Sequence, residues 1–496
     1  MGGEKGGVAD EPGVDVLSLA ASSGQLRWPR LTTSDDAVSV EERRSYGKQA
    51  RKKAPRSSHA VYRSAADRRD PIETLVEQTA NGVPELVPVR YGRMLVSPFA
   101  YFRGSSLSMT SDLAATPTSE LTAQICGDAN LCNFGVFASS EERLYFDIGD
   151  FDETTPGPWE WDVKRLASSI AVSGRDNGFA PDAREEIILG TVRAYRETMA
   201  GFARTSMLDV WRSQLGVDQL LGRFQFLLDE AKTPAVWHEL SKAHAHDSHQ
   251  PIENLSRPGE TGPAIVADSP IAVRVKDSGL WTEPGAELNW IQGVVRSYVT
   301  TLPPELRHLL QHYRIEDLAR KVVGIAAASR DTWIVLITDH VSTSPVLLQV
   351  RQAEVSVAER YLPKGAFSNH GQRVVYGQRL MQAEDDILLG WERDSRNGTV
   401  RDYYVRRLPD WRVSADVAGL TPAATELWGR MCGWALARAH ARSGDRVAIA
   451  AYLGRSDAFD RAVVRYAEAC ADHNERDFAA MHRAVRKGRL AAEPPA

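Results

Sequence analysis

The sequence predicts an α+β protein whose helical and strand-rich stretches are segregated along the chain. Three observations carry this. "WEWDVKRLASSIAV" (159–172) sets Trp159, Val163, Leu166, Ala167 and Ile170 on one helical face, and residues 183–246 continue helical. Residues 263–410 hold short β-branched and apolar runs, "TWIVLIT" and "VLLQV", joined by "DHVSTSP" as a hairpin connection. "AATELWGRMCGWALARAHARSG" (423–444) returns to helix, with Leu427, Met431, Trp434 and Ala435 on one face. Helical and strand-rich blocks in succession are the pattern of an α+β fold.

Taken in order, residues 1–44 are rich in Gly, Ser, Asp and Glu, without periodicity, and read as a disordered leader. "RRSYGKQARKKAPRSSHAVYRSAADRRD" (43–70) is strongly basic. It is either a solvated stretch that packs on the acidic body or a patch for an anionic partner. Apolar and aromatic residues become dense from Pro71 onward. Pro156 and Gly157 mark the entry to the helix that begins near Trp159. A polar linker, 246–264, precedes the strands. "QRVVYGQRL" and "DYYVRRL" add further strands, while "NWIQGVVRSYVTTL" and "EVSVAERYL" interrupt them as helices. The divisions expected are a basic segment packing on the core (45–125), a helical lobe carrying acids (126–262), a strand-rich lobe (263–410) and closing helices (411–496).

Bulk properties narrow the setting. The 496 residues suffice for two or three domains, and 43% hydrophobic with 25% charged residues is ordinary for a soluble protein. A net charge of -5 gives no global nucleic-acid footprint. Cys126, Cys132, Cys432 and Cys470 are scattered and lack CxxC pairing, so neither a disulfide framework nor a zinc site is indicated. No run of 18 apolar residues exists, and "MGGEKGGVADEPGVDV" lacks the basic start and apolar core of a secretory signal. A cytoplasmic protein without membrane contact is the expectation.

"QICGDANLCNFGVF" (124–137) and "RLYFDIGDFDE" (143–153) place acids at the ends of segments otherwise built for a core. A buried carboxylate without a partner costs free energy, so these acids need a reason. Capping and turn formation are one, since Asp and Asn favour both. The cluster suggests another. Asp128, then Asn133 five residues on, then Asp147 after an apolar strand supply a base and two hard oxygen ligands. Phosphoryl transfer uses that set: a carboxylate orients the attacking hydroxyl, and an amide and a carboxylate hold Mg²⁺ on the phosphates.

At these residues the chain resembles known families. "CGDANLCNFG" is similar to the H-G-D-x-H-x-x-N catalytic loop of aminoglycoside and choline phosphotransferases, in the protein-kinase-like superfamily. "LYFDIGDFDE" resembles their metal-binding strand, and "WEWDVKRLA" the helix whose Asp supports the loop from behind. Together with "PELVPVRYGRM", "SPFAYFRG", "GQRVVYGQRLMQ" and "LARAHARSGD", these segments resemble an uncharacterised bacterial family, domain of unknown function 2252, over about residues 45 to 480. The kinase-like resemblance implies Asp128 as catalytic base, Asn133 and Asp147 as Mg²⁺ ligands, and Asp162 as the support behind the loop. Asp150 competes with Asp147, because "GDFD" also looks like the kinase D-F-G acid. Arg93 and Arg103 match nothing in the kinase motifs and stand as either anion contacts or surface ion pairs.

The resemblance also implies an unusual order. The catalytic loop comes first here, the strand-rich segment follows, "YYVRRLPDW" looks like a hinge strand, and "LARAHA" (436–441) looks like the helix that normally precedes the loop. A circularly permuted, two-lobed kinase-like fold accounts for this; an unrelated strand-rich domain is the alternative. "VVGIAAASRDTW" (322–333) takes the place of the glycine-rich loop, keeping Gly324 but with Ala326, Ala327 and Ala328 where glycine is wanted. Arg351 stands for the phosphate-binding lysine, a non-conservative exchange, with Glu354 or Glu359 as its partner. The expected ligands are therefore ATP and Mg²⁺, with a small-molecule acceptor. Two function classes stay open, a phosphotransferase and a nucleotide-binding pseudokinase. A paired-carboxylate hydrolase is weaker, because it would have no use for Asn133.

Overall fold

A computed structural model of the chain describes residues 38–62, 68–138, 143–216, 256–258, 263–266, 272–275, 286–321, 325, 328–341, 344–384, 386–395, 399–408, 412–413 and 416–493. Helix α1 (Val40–Lys53) opens on a capping box, in which Ser39 accepts from the Glu42 N–H and Glu42 accepts from the Ser39 N–H. The leader expected to run to 44 thus gives way to helix at Ser39, and residues 1–37 lie outside the described set. Helices α2 (Pro71–Gln78), α3 (Val87–Met94), α4 (Pro98–Gly104) and α5 (Ser106–Ala114) follow. Three of these four carry proline at the first turn, where no backbone N–H is needed.

Strands β1 (Thr122–Ile125), β2 (Phe134–Ala138), β3 (Leu144–Ile148) and β4 (Thr155–Pro158) frame the acidic motifs. Here β1 pairs with β4 and β2 with β3, both antiparallel. Helix α6 (Trp159–Asp176) is buried over nearly its whole length and forms the axis of the helical part. Helices α7 (Pro181–Phe202) and α8 (Met207–Arg212) complete this half of the chain.

The second half begins with β5 (Ser256–Pro258), β6 (Pro263–Ile265), β7 (Ala272–Arg274), α9 (Ala286–Thr300) and α10 (Pro304–Leu310). Strands β8 (Tyr313–Lys321), β9 (Thr332–Asp339) and β10 (Pro345–Ala353) precede helix α11 (His370–Met381); β11 (Gly390–Asp394), β12 (Arg401–Arg407) and β13 (Arg412–Val413) follow it. One six-stranded antiparallel sheet runs β11-β12-β10-β9-β8-β7, while β13 joins β2. "QRVVYGQRL", expected as a strand, is instead helix α11. Asn369 caps it by accepting from the Gln372 N–H, and Val374, Gly377, Gln378 and Met381 make a buried stripe at helical spacing. The Val-Val doublet had masked that period. "EVSVAERYL" forms only a single 3₁₀ turn, Val357–Arg360.

Helices α12 (Pro422–Ser443), α13 (Arg446–Leu453) and α14 (Ala458–Arg486) return to the first half. Gly429 and Gly433 bring α12 against α7, since a Cβ at either would overlap Thr191. The main apolar core lies among α4, α6, α7, α12 and α14; a second, under the large sheet, joins Ile291, Val294 and Tyr298 of α9 to Trp333, Val350 and Tyr403. Among the described residues no helix is long and apolar enough to cross a membrane.

The basic stretch packs on this body. Arg51 and Arg56 donate to the carbonyls of Ala451, Tyr452 and Leu453 at the end of α13, and Arg68 pairs with Asp112 and Asp477. Backbone carbonyls at a helix C-terminus lack intrahelical partners, so cations are favourable there. Gly47 sets the crossing of α1 over α13, because a Cβ there would overlap the Ala448 carbonyl. Gly47→Val is expected to lower stability by about 1–3 kcal/mol, the range for overpacked contacts. Denaturant unfolding measures the loss, and faster tryptic cleavage within 43–53 locates it; unchanged values in both would show that α1 is not held by this crossing.

Candidate active site

The loop 126–133 is shaped by its neighbours before any chemistry is considered. Gly127 has φ +80°, and a Cβ there would overlap the Glu153 carbonyl, so the position calls for glycine on both counts. Asp162 on α6 accepts from the N–H groups of Cys126 (2.8 Å) and Gly127 (3.0 Å) and lies 3.2 Å from His440 Nε2. It holds the loop from behind. Asn130 accepts from the Cys132 N–H and opens the 3₁₀ turn that delivers Asn133.

Asp128 is bound from several sides. Its Oδ1 accepts from Arg165 Nε (2.9 Å) and from Asn130 Nδ2 (3.1 Å), with Arg165 Nη2 at an ion-pair distance of 2.7 Å. Its Oδ2 accepts from Asn133 Nδ2 (3.2 Å), which also donates to the Asp128 carbonyl (2.8 Å). The Asn133 amide nitrogen is therefore committed, and its oxygen is the end left to ligate a cation. The Arg165 guanidinium stacks on Phe102, 4.0 Å from the ring centre.

The two competing acids part company. Asp147 is fully buried. Arg438 Nη2 reaches both of its oxygens, at 2.7 and 2.8 Å, and the N–H groups of Ile148 and Ala383 complete its shell. Each Asp147 oxygen, expected as a metal ligand, thus accepts from Arg438 and from one backbone N–H. Asp150 keeps 24% of its side chain exposed. Burial and the neighbouring Asp152 charge push the Asp150 carboxyl up, against the opposing pull of Arg351.

Arg351 stands with these acids: its Nη2 is 2.5 Å from Asp152 and 3.7 Å from Asp150. Arg330 pairs with Asp152 (2.5 Å) and Glu153 (2.7 Å), and the Tyr404 hydroxyl donates to Asp152 (2.9 Å). Burial alone would raise Asp152, but Arg351 and Arg330 outweigh it and hold the carboxyl below the usual carboxylate range. Glu359 does not pair with Arg351 as expected. It lies 3.7 Å from Arg373, whose other nitrogens donate to the carbonyls of Thr154, Asp152 and Glu354. The reason is helix α11, which brings Arg373 inward where a strand was expected. Gly324, Ala326 and Ala327 lie outside the described residues. Arg93 and Arg103 are partly exposed helix residues.

Sequence reading missed Arg165, Arg330 and Arg438. Arg165 is three residues after Asp162 on one helix, hence on its face, and Arg438 lies inside "LARAHA"; both signals were available. Among the described residues no three His, Cys, Asp or Glu side chains are grouped to hold a metal ion. A cation here would rest on Asn133, Asp150 and its ligand's own oxygens. The cavity of about 460 Å³ lined by Glu197, Phe202, Arg212, Gln214 and Trp434 contains none of these acids.

The sequence profile of a family described as "uncharacterized protein conserved in bacteria (DUF2252)" matches residues 82–484. The chain belongs to that family. Neither the curated proteins nor the solved structures give a match.

The geometry separates structural from open acids. Arg438→Met leaves Asp147 buried and unpaired, and is expected to cost about 3–5 kcal/mol of stability in denaturant unfolding. For Asp150 the sign is opposite. A raised carboxyl binds its proton more tightly in the folded state, so stability is lost as pH climbs past the ordinary carboxylate range. Asp150→Asn should thus melt above the wild type at neutral pH, with the gap closing by about pH 3, where both side chains are neutral. A destabilised Asp150→Asn at neutral pH would contradict this.

Proposed function

We propose that the chain is an ATP- and Mg²⁺-dependent phosphotransferase acting on a small hydroxyl- or amine-bearing molecule, on a circularly permuted kinase-like fold. One observation carries the reading. Arg351, from the large sheet, meets Asp150 of the "GDFD" turn next to the loop that bears Asp128 and Asn133. Arg351 is on the third strand of the run β8–β10, and helix α11 follows, as the lysine of the third strand precedes the αC helix in protein kinases.

The residues fit the chemistry. Asn133 and Asp150 would hold the cation, which when bound neutralises charge on the phosphates of the nucleotide. Asp128, fixed by Arg165 and Asn133, orients the acceptor and receives its proton. Arg351 would supply a permanent positive charge to the phosphates. Asp162 keeps the loop in register. A pseudokinase is the second reading. It is favoured by the 2.5 Å pair of Arg351 with Asp152, which occupies the cation that would face the nucleotide.

The test is phosphate transfer or slow ATP hydrolysis, with ATP affinity read by thermal shift in Mg²⁺. Asp128→Asn should keep nucleotide affinity and lose turnover by on the order of a hundredfold or more. Asn133→Ala and Asp150→Ala should weaken Mg²⁺-ATP binding with the fold intact. Equal rates for wild type and Asp128→Asn, with ATP bound, would favour the pseudokinase; no nucleotide binding at all would end both readings.

A further inference from the structure

Arg90, on α3, is 2% exposed, yet no carboxylate lies within ion-pair distance among the described residues. Its Nη2 donates to the Gly104 carbonyl (2.8 Å) and its Nη1 to Ser329 Oγ (3.3 Å), while Nε has no partner. Burial and the nearby Arg330 charge pull it down to about 10, against the opposing pull of Tyr91, Glu354 and Glu153. The fold thus holds a buried cation beside a second cation, with Glu354 and Glu153 near it but outside ion-pair distance, an arrangement that costs stability. Arg165 repeats the theme. Its Nη2 donates to the Phe102 carbonyl (3.0 Å), and its Nη1 has no partner. Two guanidiniums therefore hang from carbonyls two residues apart at the end of α4, each with an unused N–H. One of them also grips Asp128.

We propose that Arg90 and Arg165 form a subsite for a phosphate group at the edge of the Asp128 site. The planar fork of arginine suits phosphate oxygens, and a phosphate supplies negative charge in direct contact with Arg90. Ser329 Oγ, the longer of the two Arg90 contacts, is the one a phosphate oxygen would replace. Ser329 immediately precedes Arg330, the partner of Asp152 and Glu153, so the subsite adjoins the cluster around Asp150. The phosphotransferase reading bears only on the source of the phosphate, either the end of the nucleotide chain or a phosphorylated acceptor.

The experiment titrates the full chain with inorganic pyrophosphate and, separately, with Mg²⁺-ATP, by calorimetry and thermal shift. Wild type should bind pyrophosphate. Arg90→Met should weaken that binding at least tenfold while melting at or above the wild-type temperature, because a buried cation without a contacting carboxylate has gone. Arg90→Lys should retain part of the binding. Loss of both pyrophosphate and ATP binding in Arg90→Met points to the nucleotide as source; loss of pyrophosphate binding alone points to a phosphorylated acceptor. If wild type fails to bind ATP but binds pyrophosphate through Arg90, the phosphotransferase reading falls and the subsite stands. A wild type blind to pyrophosphate, or an Arg90→Met variant that binds it equally well, overturns the subsite. An Arg90→Met variant that melts lower without losing affinity shows a purely structural arginine.

Discussion

The Asp152 carboxylate is the joint on which the arrangement of this protein depends. It comes from the turn after β3, accepts from Arg330 and Tyr404 and pairs with Arg351, all of which belong to the strand-rich half. Glu153, next in sequence, adds a second tie to Arg330 and accepts from the Val357 N–H. Removing one partner from such a buried set leaves an uncompensated charge, which is far costlier than the set's net contribution to stability. The turn that carries Asp150 therefore cannot drift relative to the sheet. The acidic turn thus sits against a wall fixed by salt bridges as well as by apolar packing.

Arginine does most of this fixing, and the choice follows from its chemistry. A guanidinium stays charged when buried and offers five donors in a plane, so it can tie carboxylates and carbonyls together. Arg438 joins Asp147 to the Met381 carbonyl. Arg442 caps the carbonyls of Gln382 and Arg379, and Arg373 gathers three more. These contacts satisfy carbonyl groups at the end of α11 and along the acidic turn, where regular structure leaves backbone acceptors without partners.

Much of this was legible in the sequence where periodicity was long or a residue type was rare. The helix from Trp159 followed from its apolar stripe, strands β9 and β10 from their β-branched and apolar runs, and β12 from its Tyr-Tyr-Val core. The cluster of Asp128, Asn133 and Asp147, with Asp150 competing for the place of Asp147, stood out because polar groups punctuated apolar segments. What failed had a short-range cause. In 372–380 two adjacent valines look like strand, and only the tertiary burial of Val374 and Met381 reveals the helical face. Asp147 and Asp150 could not be told apart, since the difference lies in Arg438, 291 residues away. Glu354 and Glu359 both stood open as partners of Arg351, whose ion pairs go instead to Asp152 and Asp150.

That separation has a consequence for how the molecule is made. At about 5–20 residues per second, Arg438 emerges tens of seconds after Asp147 during synthesis. Until then a carboxylate destined for complete burial has no counter-ion, and α12 is missing from the side of α7. Contacts so distant in sequence slow folding, because a long loop must be closed before the contacts reward it. The half of the chain that bears the acids is thus held open until the last helices arrive. Nascent chains should lean on chaperones over that interval, and a truncation before α12 would yield an aggregating fragment rather than a smaller folded protein.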